Sequence, residues 1–271
     1  MKLGLISDIH YDTYENLTKE DFFENIKQLV TENSLDTLVI GGDISNSHKT
    51  TFPFVEELQA QLNIPVYFVP GNHDYWEKNL VHKDSMKVYQ YYVNHPQSLL
   101  ESPVIVSDKY ALVGHSAWYN HAIHGQQFTE EELDKGIYGE RTWQDKLNTR
   151  WGMTDRELSK HFADLVKKDL EKVGDRDVVL VTHMVTIPDF TVPMPHEPFD
   201  FFNAFIATDD FADIHRDYPI KYSSMGHVHY RGTVESDGIT YICNCLGNQR
   251  EWRSDDFQKE LQASLFVLEL E

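Results

Sequence analysis

Two patterns of hydrophobic positions alternate along the chain: short apolar runs, and longer segments with an apolar residue at every third or fourth position. The short runs predict buried strands, and the longer segments predict amphipathic helices. In the first hundred residues the two alternate, which predicts parallel strands joined by right-handed crossovers. The strands predicted there are 2–7, 37–40 and 64–69, and the helices are 18–33, about 53–62 and about 78–93.

The same patterns continue to the end of the chain. One clear helix is predicted after Thr154, which suits an N-cap, because Glu157 follows three residues later and Gly174 marks the end. The other elements predicted are hairpins at 104–114 and 230–247, and strands at 177–182, 220–225 and 264–269.

Residues 116–151 are less regular and rich in aromatic side chains and histidine. This excursion could be a lid over a site. The alternative is an ordinary packed excursion.

The 271 residues suffice for one large domain or two small ones. The sequence contains neither a linker rich in small residues nor an internal repeat, so we expect a single domain over 1–271. A membrane span is not expected, because no apolar run is long enough. The apolar start, residues 1–6, is too short for a secretory signal, and we expect an intracellular, cytoplasmic protein.

Charge and cysteine content limit the function further. The formal net charge is -20, which repels polyanions and argues against a long nucleic acid as partner. Cys243 and Cys245 lie two apart in an apolar run. We expect them to pack in the core rather than form a disulfide or a four-ligand zinc site.

Side chains that can bind a metal follow five of the predicted strands. Parallel strands place their carboxyl ends at one edge of a sheet, where ligands bind. Residues two apart in a strand share one side, so Asp8 and His10 can reach one ion together. Each segment alone also fits a helix cap or a surface turn. The five strand ends carry Asp8 and His10, Asp43, Asn72 and His73, His183, and His227 and His229.

These ligands are carboxylates, an amide and imidazoles, without a thiolate. Such a set suits manganese, iron or zinc. The candidates exceed what one ion needs, whereas two ions about 3.5–4 Å apart that share a carboxylate would use them. Asp43 is the natural bridge, because it is a carboxylate placed between the other pairs.

In order along the chain, these motifs resemble the calcineurin-like metallophosphoesterases. The matching motifs are Asp-x-His at Asp8, Gly-Asp at Gly42, Gly-Asn-His-Asp at Gly71, the strand-final His183, and Gly-His-x-His at Gly226. The resemblance implies an α/β fold with four layers, in which two mixed β-sheets pack together and helices lie outside.

The resemblance also implies a role for each residue. The first metal would bind to Asp8, His10 and His229, the second to Asn72, His183 and His227, and Asp43 would bridge them. His73 would donate a proton or contact phosphate, with Asp74 supporting it.

The implied enzyme is a dinuclear hydrolase of phosphate esters. Two cations lower the pKa of a bridging water, and the resulting hydroxide attacks phosphorus in line with the leaving oxygen. The substrate would be a small phosphomonoester or phosphodiester, and nucleotide-type esters belong to this class.

Departures from the family's patterns narrow the subfamily. Protein serine/threonine phosphatases typically show Gly-Asp-x-Val-Asp-Arg-Gly, whereas this chain has Ser-Asn-Ser-His at positions 45–48. Purple acid phosphatases place a ligand tyrosine where this chain has Asn46. The sequence therefore resembles the small bacterial-type phosphoesterases. A non-catalytic scaffold of the same fold and a nuclease are the alternatives.

Overall fold

A computed structural model of the chain describes residues 1–77 and 84–271. Its strands are β1 (Lys2–Ile6), β2 (Thr37–Ile40), β3 (Val66–Phe68), β4 (Val104–Ile105), β5 (Tyr110–His115), β6 (Ile137–Tyr138), β7 (Arg141–Thr142), β8 (Asp177–Thr182), β9 (Ile220–Met225), β10 (Arg231–Ser236), β11 (Ile239–Asn244) and β12 (Phe266–Glu269). Its helices are α1 (Lys19–Asn33), α2 (His48–Leu62), α3 (Ser85–Val93), α4 (Glu130–Lys135), α5 (Gln144–Asn148), α6 (Asp155–Val173), α7 (Phe199–Phe202), α8 (Ala212–Asp217) and α9 (Phe257–Ser264).

Two large mixed sheets carry the fold. The first has the order β12-β1-β2-β3, with β1, β2 and β3 parallel and β12 antiparallel to β1. The second has the order β10-β11-β9-β8-β5-β4, with its four inner strands parallel and both outer strands antiparallel. Helices α2 and α6 contact the first and the second sheet respectively. The predicted fold class, two mixed sheets flanked by helices, is confirmed.

The smaller of two apolar core clusters contains residues of both sheets. Leu5 and Val39 come from the first sheet, and Leu112, Val179 and Ile242 come from the second. Their removal from water favours the association of the sheets. A larger cluster surrounds it and includes the apolar faces of the helices, such as Phe22, Phe54 and Phe162.

Hydrogen bonds also connect the two sheets where β1 and β11 end. Ser7 and Cys245 form an isolated parallel bridge, and the backbone N–H of Gly247 donates to the carbonyl of Asp8 at 3.0 Å. The buried amide of Asn244 donates to the carbonyls of Leu5 at 2.6 Å and Ser264 at 3.1 Å. These bonds fix how the carboxyl ends of the two sheets face each other.

The predictions for α1 and α6 are confirmed with their caps. Helix α1 follows Thr18, whose hydroxyl accepts a hydrogen bond from the backbone of Asp21. Helix α6 follows Thr154, which forms a capping box with Glu157, and it ends before Gly174. Both hairpins pair antiparallel as predicted.

The predicted start of α2 at Pro53 is wrong. The helix begins at His48, because Ser47 acts as its N-cap, and Pro53 lies inside it. Proline lacks an N–H, so the carbonyl of Lys49 loses its helical partner there. The pattern also missed α9, a short helix directly before the last strand.

Two further expectations concern α3 and the cysteines. The helix predicted over 78–93 is present as α3 from Ser85, and residues 78–83 lie outside the described residues. Cys243 and Cys245 are buried and free, with their sulfur atoms 3.7 Å apart, so the expected core packing is confirmed. Within 1–77 and 84–271, no helix combines the length and apolar character that crossing a membrane requires.

We expect Asn244→Ala to lower the free energy of unfolding by about 1–3 kcal/mol, because it leaves buried carbonyl groups without donors. Urea denaturation measures this change. The control is Asn94→Ala, since Asn94 is exposed and its amide donates to the carbonyl of Gln90 in α3. Equal effects of the two substitutions would show that the amide of Asn244 does not stabilise the junction of the sheets.

Candidate metal centre

The loops after the parallel strands are bonded to one another through their backbones. The N–H of Asp8 donates to the carbonyl of Gly42 at 3.0 Å, and that of His10 donates to the carbonyl of Asp43 at 2.9 Å. In the second sheet, the N–H of Gly226 donates to the carbonyl of His183 at 2.9 Å, and across the sheets the N–H of His227 donates to the carboxylate of Asp8 at 3.0 Å. The strand ends therefore converge on one place, as the sequence predicted.

Several candidate ligands have a left-handed backbone conformation. This conformation is uncommon for residues other than glycine, and it concentrates at functional sites, where the surrounding structure enforces it. The residues and their φ angles are Asp8 (54°), His10 (41°), Asp43 (49°), His227 (72°) and His229 (55°). The loops thus hold these side chains in directions that extended strands would not give them.

One group of candidate ligands consists of Asp8, His10, Asp43 and His229. Each offers one ligand atom, and these atoms all lie within 4.8 Å of one another. The Nε2 atoms of His10 and His229 are 3.0 Å apart. Nε2 of His10 is also 3.5 Å from Oδ2 of Asp43, and Nε2 of His229 is 3.4 Å from Oδ1 of Asp8. This group could hold a metal ion.

A second group consists of Asp43, His183 and His227, again within 4.8 Å. The side-chain oxygen of Asn72 joins it, because it lies 3.0 Å from Nε2 of His183 and 3.0 Å from Nδ1 of His227. Asp43 belongs to both groups, with Oδ1 facing His183 at 3.4 Å and Oδ2 facing His10. The structure therefore brings together all seven candidate ligands predicted from the sequence.

The outer ring nitrogens of three of these histidines have acceptors. Nδ1 of His183 lies 2.9 Å from the carbonyl of Gly41, and Nε2 of His227 lies 3.0 Å from that of Phe205. Nδ1 of His229 lies 2.7 Å from Glu251. Each acceptor places the proton on the outer nitrogen and leaves the inner one free for a metal. His10 is the exception, since its buried Nδ1 has no partner among the described residues.

The buried charges of the centre compensate one another. Burial would raise the pKa of Asp43, but His183 and the neighbouring imidazoles hold it well below its usual range. Burial likewise lowers the pKa of His183, yet Asp43 outweighs it and raises the value to about 9. For His229, Asp8 and Glu251 outweigh burial and raise the pKa to about 10. A bound cation would replace these protons, so the donor set fits manganese, iron or zinc.

Asp74 does not support the ring of His73, and that expectation is wrong. Its buried carboxylate accepts hydrogen bonds from the backbone N–H groups of Ile44, Ser45 and Gly71 and from the hydroxyl of Thr51. Burial and the nearby charge of Asp43 raise the pKa of Asp74 to about 7, although the hydrogen bonds from Thr51, Gly71 and Ser45 favour its ionised form. Asp74 therefore joins the loop that carries Asp43 to the loop that carries Asn72.

The ring of His73 is held by Asn46 instead. Nδ1 of His73 lies 2.8 Å from Oδ1 of Asn46, and the amide nitrogen of Asn46 donates to Asp12 at 3.2 Å. Because Asp12 can only accept, the Asn46 oxygen faces His73, and His73 carries its proton on Nδ1. The ring also stacks on Trp76, with centroids 3.6 Å apart. Nε2 thus points to the centre, 4.0 Å from Asp43.

Asp145 is a residue of the site that sequence reasoning missed. It lies in the 116–151 excursion and is buried. One carboxylate oxygen accepts hydrogen bonds from Asn72 at 2.9 Å and Trp76 at 2.7 Å, and the other accepts one from Trp143 at 2.9 Å. Because the Asn72 nitrogen is bonded to Asp145, the Asn72 oxygen faces the second group. In the sequence Asp145 stands two positions after Trp143 and belongs to none of the motifs, so no local pattern indicated this role.

The excursion itself packs against the rest of the chain. The larger core cluster contains four buried side chains of this excursion, those of Trp118, Tyr119, Leu133 and Trp151. This packing favours the ordinary packed segment over a separate lid, although residues 142–145 line the site.

The sequence profile of calcineurin-like phosphoesterases matches residues 1–231. The chain therefore belongs to the calcineurin-like phosphoesterase family, and by family it is a metallophosphoesterase. The candidate centre lies within the matched residues. The resemblance predicted from the motifs is confirmed.

The chain is also similar to individual members. A 3',5'-cyclic adenosine monophosphate phosphodiesterase, CpdA, of Haemophilus influenzae is 25% identical over 197 residues, which are 69% of this chain and 57% of that protein. The chain thus spans little more than half the length of this relative.

Solved structures share the fold. The phosphopantetheinyl hydrolase of Mycobacterium tuberculosis aligns with a TM-score of 0.76 at 20% identity, over 98% of this chain and 95% of that one. A dimetal phosphatase from Danio rerio aligns with a TM-score of 0.51 at 14% identity, over 90% and 86%. At these identities the likeness shows the fold alone.

We expect Asp145→Asn to weaken binding of manganese by about 10–100-fold, because an amide cannot accept all the hydrogen bonds that orient Asn72. Competition with a chelator measures the affinity. The control is Asp108→Asn, at an exposed position in the turn before β5. Unchanged manganese affinity in Asp145→Asn would contradict the orienting role of this carboxylate.

Proposed function

We propose that this chain is a dinuclear metal-dependent hydrolase of phosphate esters. The observation that carries the proposal is the presence of two groups of candidate ligands that share the buried carboxylate of Asp43. Two ions that share a ligand stand close enough to act on one phosphate.

The proposed ligands follow from these groups. Asp8, His10 and His229 would hold one ion, Asn72, His183 and His227 would hold the other, and Asp43 would contact both. Two such ions supply Lewis acidity, which lowers the pKa of water and neutralises phosphoryl oxygens. The oriented imidazoles and the Asn72 oxygen would hold the ions without reorganisation during the reaction.

His73 would act on the substrate rather than on a metal. Burial lowers the pKa of His73 to about 3 despite the charge of Asp43, so in the free protein its Nε2 carries no proton at neutral pH. A phosphate dianion bound beside Nε2 would favour the imidazolium and raise that pKa. The imidazolium could then stabilise the phosphoryl oxygens or protonate the leaving oxygen. Asn46 supports this role because it fixes the orientation of the ring.

The proposed substrate is a small phosphomonoester or phosphodiester. The cavity over the centre measures about 370 Å³ and is lined by His73, Trp76 and Trp143 among others, which suits a small molecule. The net charge of -20 disfavours a long polyanion. The activity named for the Haemophilus influenzae relative supports testing a phosphodiester beside a phosphomonoester.

We expect the protein reconstituted with manganese to bind about two ions per chain. Asp43→Ala should lose affinity for both ions, because this carboxylate belongs to both groups, whereas His183→Ala should lose only one. Elemental analysis after gel filtration gives the metal content. Asp36→Ala, at an exposed aspartate outside the centre, is the control. Retention of both ions by Asp43→Ala would contradict the shared ligand.

We expect manganese-dependent hydrolysis of 4-nitrophenyl phosphate, of bis(4-nitrophenyl) phosphate or of both. His73→Ala should lower kcat by about 100- to 10,000-fold with unchanged metal content, because it removes the proton donor but no ligand. The comparison of the two substrates separates a phosphatase from a phosphodiesterase.

The control for His73→Ala is His161→Ala, because His161 is exposed on α6. Near-normal turnover by metal-replete His73→Ala would refute the role of His73. Full turnover by the metal-stripped protein would refute the hydrolase mechanism. Loading with metal but no turnover of either substrate would favour the non-catalytic scaffold.

A further inference from the structure

A second cavity, larger than the one over the metal centre, opens beside it. It has a volume of about 660 Å³, in the range of sites that take drug-sized molecules. The proposed hydrolysis does not require it, because a phosphate alone fits over the centre. The position of this cavity, its lining residues and their charges indicate which kind of chemical group it binds.

The two cavities are adjacent. His227 and His229 line both of them, as do Trp143 and Arg250. Trp143 belongs to the lining of both cavities, and its ring is held by at least two contacts. Its N–H donates to Asp145 at 2.9 Å, and its ring stacks on Phe205 with centroids 5.2 Å apart. A phosphate at the ligand groups would therefore lie next to the larger cavity.

The walls of the larger cavity are mainly apolar. They include Phe190, Val192, Phe199, Phe202 and Tyr230. Phe190 and Phe202 are buried, with exposed fractions of 3% and 9%, and the carbonyl and N–H of Val192 are both bonded to the side chain of Asn203. The wall is therefore formed before any ligand arrives. Apolar surface of this kind favours an apolar ligand, because both are removed from water.

The charges around the cavity balance. Arg141 and Arg250 line it together with Glu140 and Glu251, and Arg250 lies 3.5 Å from Glu251. A site for a second phosphate would need an excess of cationic side chains. The balance instead fits an uncharged group.

We propose that this cavity binds the organic arm of the substrate. The substrate is then an ester in which the phosphate at the metal centre carries an uncharged, bulky apolar or aromatic group. This inference rests on the proposed function, since it assumes that the phosphate lies at the ligand groups. It narrows the substrate class, because a bare phosphate or a sugar phosphate would leave the apolar walls in contact with water.

Binding of phosphonates tests the inference without turnover, since their carbon–phosphorus bond is not hydrolysed. Calorimetry on the manganese-loaded protein compares methylphosphonate with 3-phenylpropylphosphonate, which share the head group and differ in the arm. We expect the phenylpropyl compound to bind at least about 10-fold more tightly.

Val192→Trp should fill the cavity and reduce the ratio of the two dissociation constants to within about 3-fold. Ile105→Trp is the matched control, because Ile105 is 50% exposed on the short strand β4 and does not line the cavity. If Val192→Trp does not fold, Phe199→Ala serves instead, since it removes an aromatic wall and should also reduce the ratio.

Equal affinity of the wild-type protein for both phosphonates would overturn the inference about the arm. So would an unchanged ratio in the folded cavity variants. Metal-dependent turnover of 4-nitrophenyl esters in the same preparation would then show that the hydrolase function stands. If neither phosphonate binds and no ester is turned over, the proposed function and this inference both fail.

Discussion

Two buried carboxylates, Asp8 and Asp43, face four imidazoles, and the rest of the site depends on keeping their charge balanced. A buried charge without a partner is costly, so the chain must surround these carboxylates with donors and cations. The backbone N–H of His227 donates to Asp8, and that of His73 donates to Asp43. The protein thus supplies part of the compensation, and a bound cation would supply the remainder.

This balance requires an unusual arrangement of the loops. Left-handed backbone at Asp8, Asp43 and His229 turns their side chains toward a common point. Gly71 allows the loops to approach, because a Cβ there would lie on the backbone nitrogen and carboxylate of Asp43. Asp74 then bonds to both loops. The left-handed backbone and the buried charges at this edge of the sheets lower the stability of the fold. Burial of the apolar core compensates for that loss.

A second layer of side chains orients the residues of the centre. Asp145 orients the amide of Asn72, Asn46 orients the ring of His73, and Glu251 orients His229. Trp143 belongs to this layer and also forms a wall shared by the two cavities. The excursion after β5 therefore connects the metal centre to the surface that would recognise the substrate.

The sequence by itself determined the fold class, the ends of the strands and the set of candidate ligands. Strand periodicity is local, so the strand ends could be predicted, and the fold class followed from the resemblance that the motifs carry. The expectation that Asp8 and His10 share one side of a strand is wrong, because they follow β1 in left-handed backbone, as His227 and His229 follow β9. Only the tertiary structure decided the roles of Asp74, Asn46 and Asp145, as well as the large cavity. These depend on contacts between residues far apart in the chain, such as Asn72 with Asp145, and no local pattern encodes which distant side chain completes a hydrogen bond.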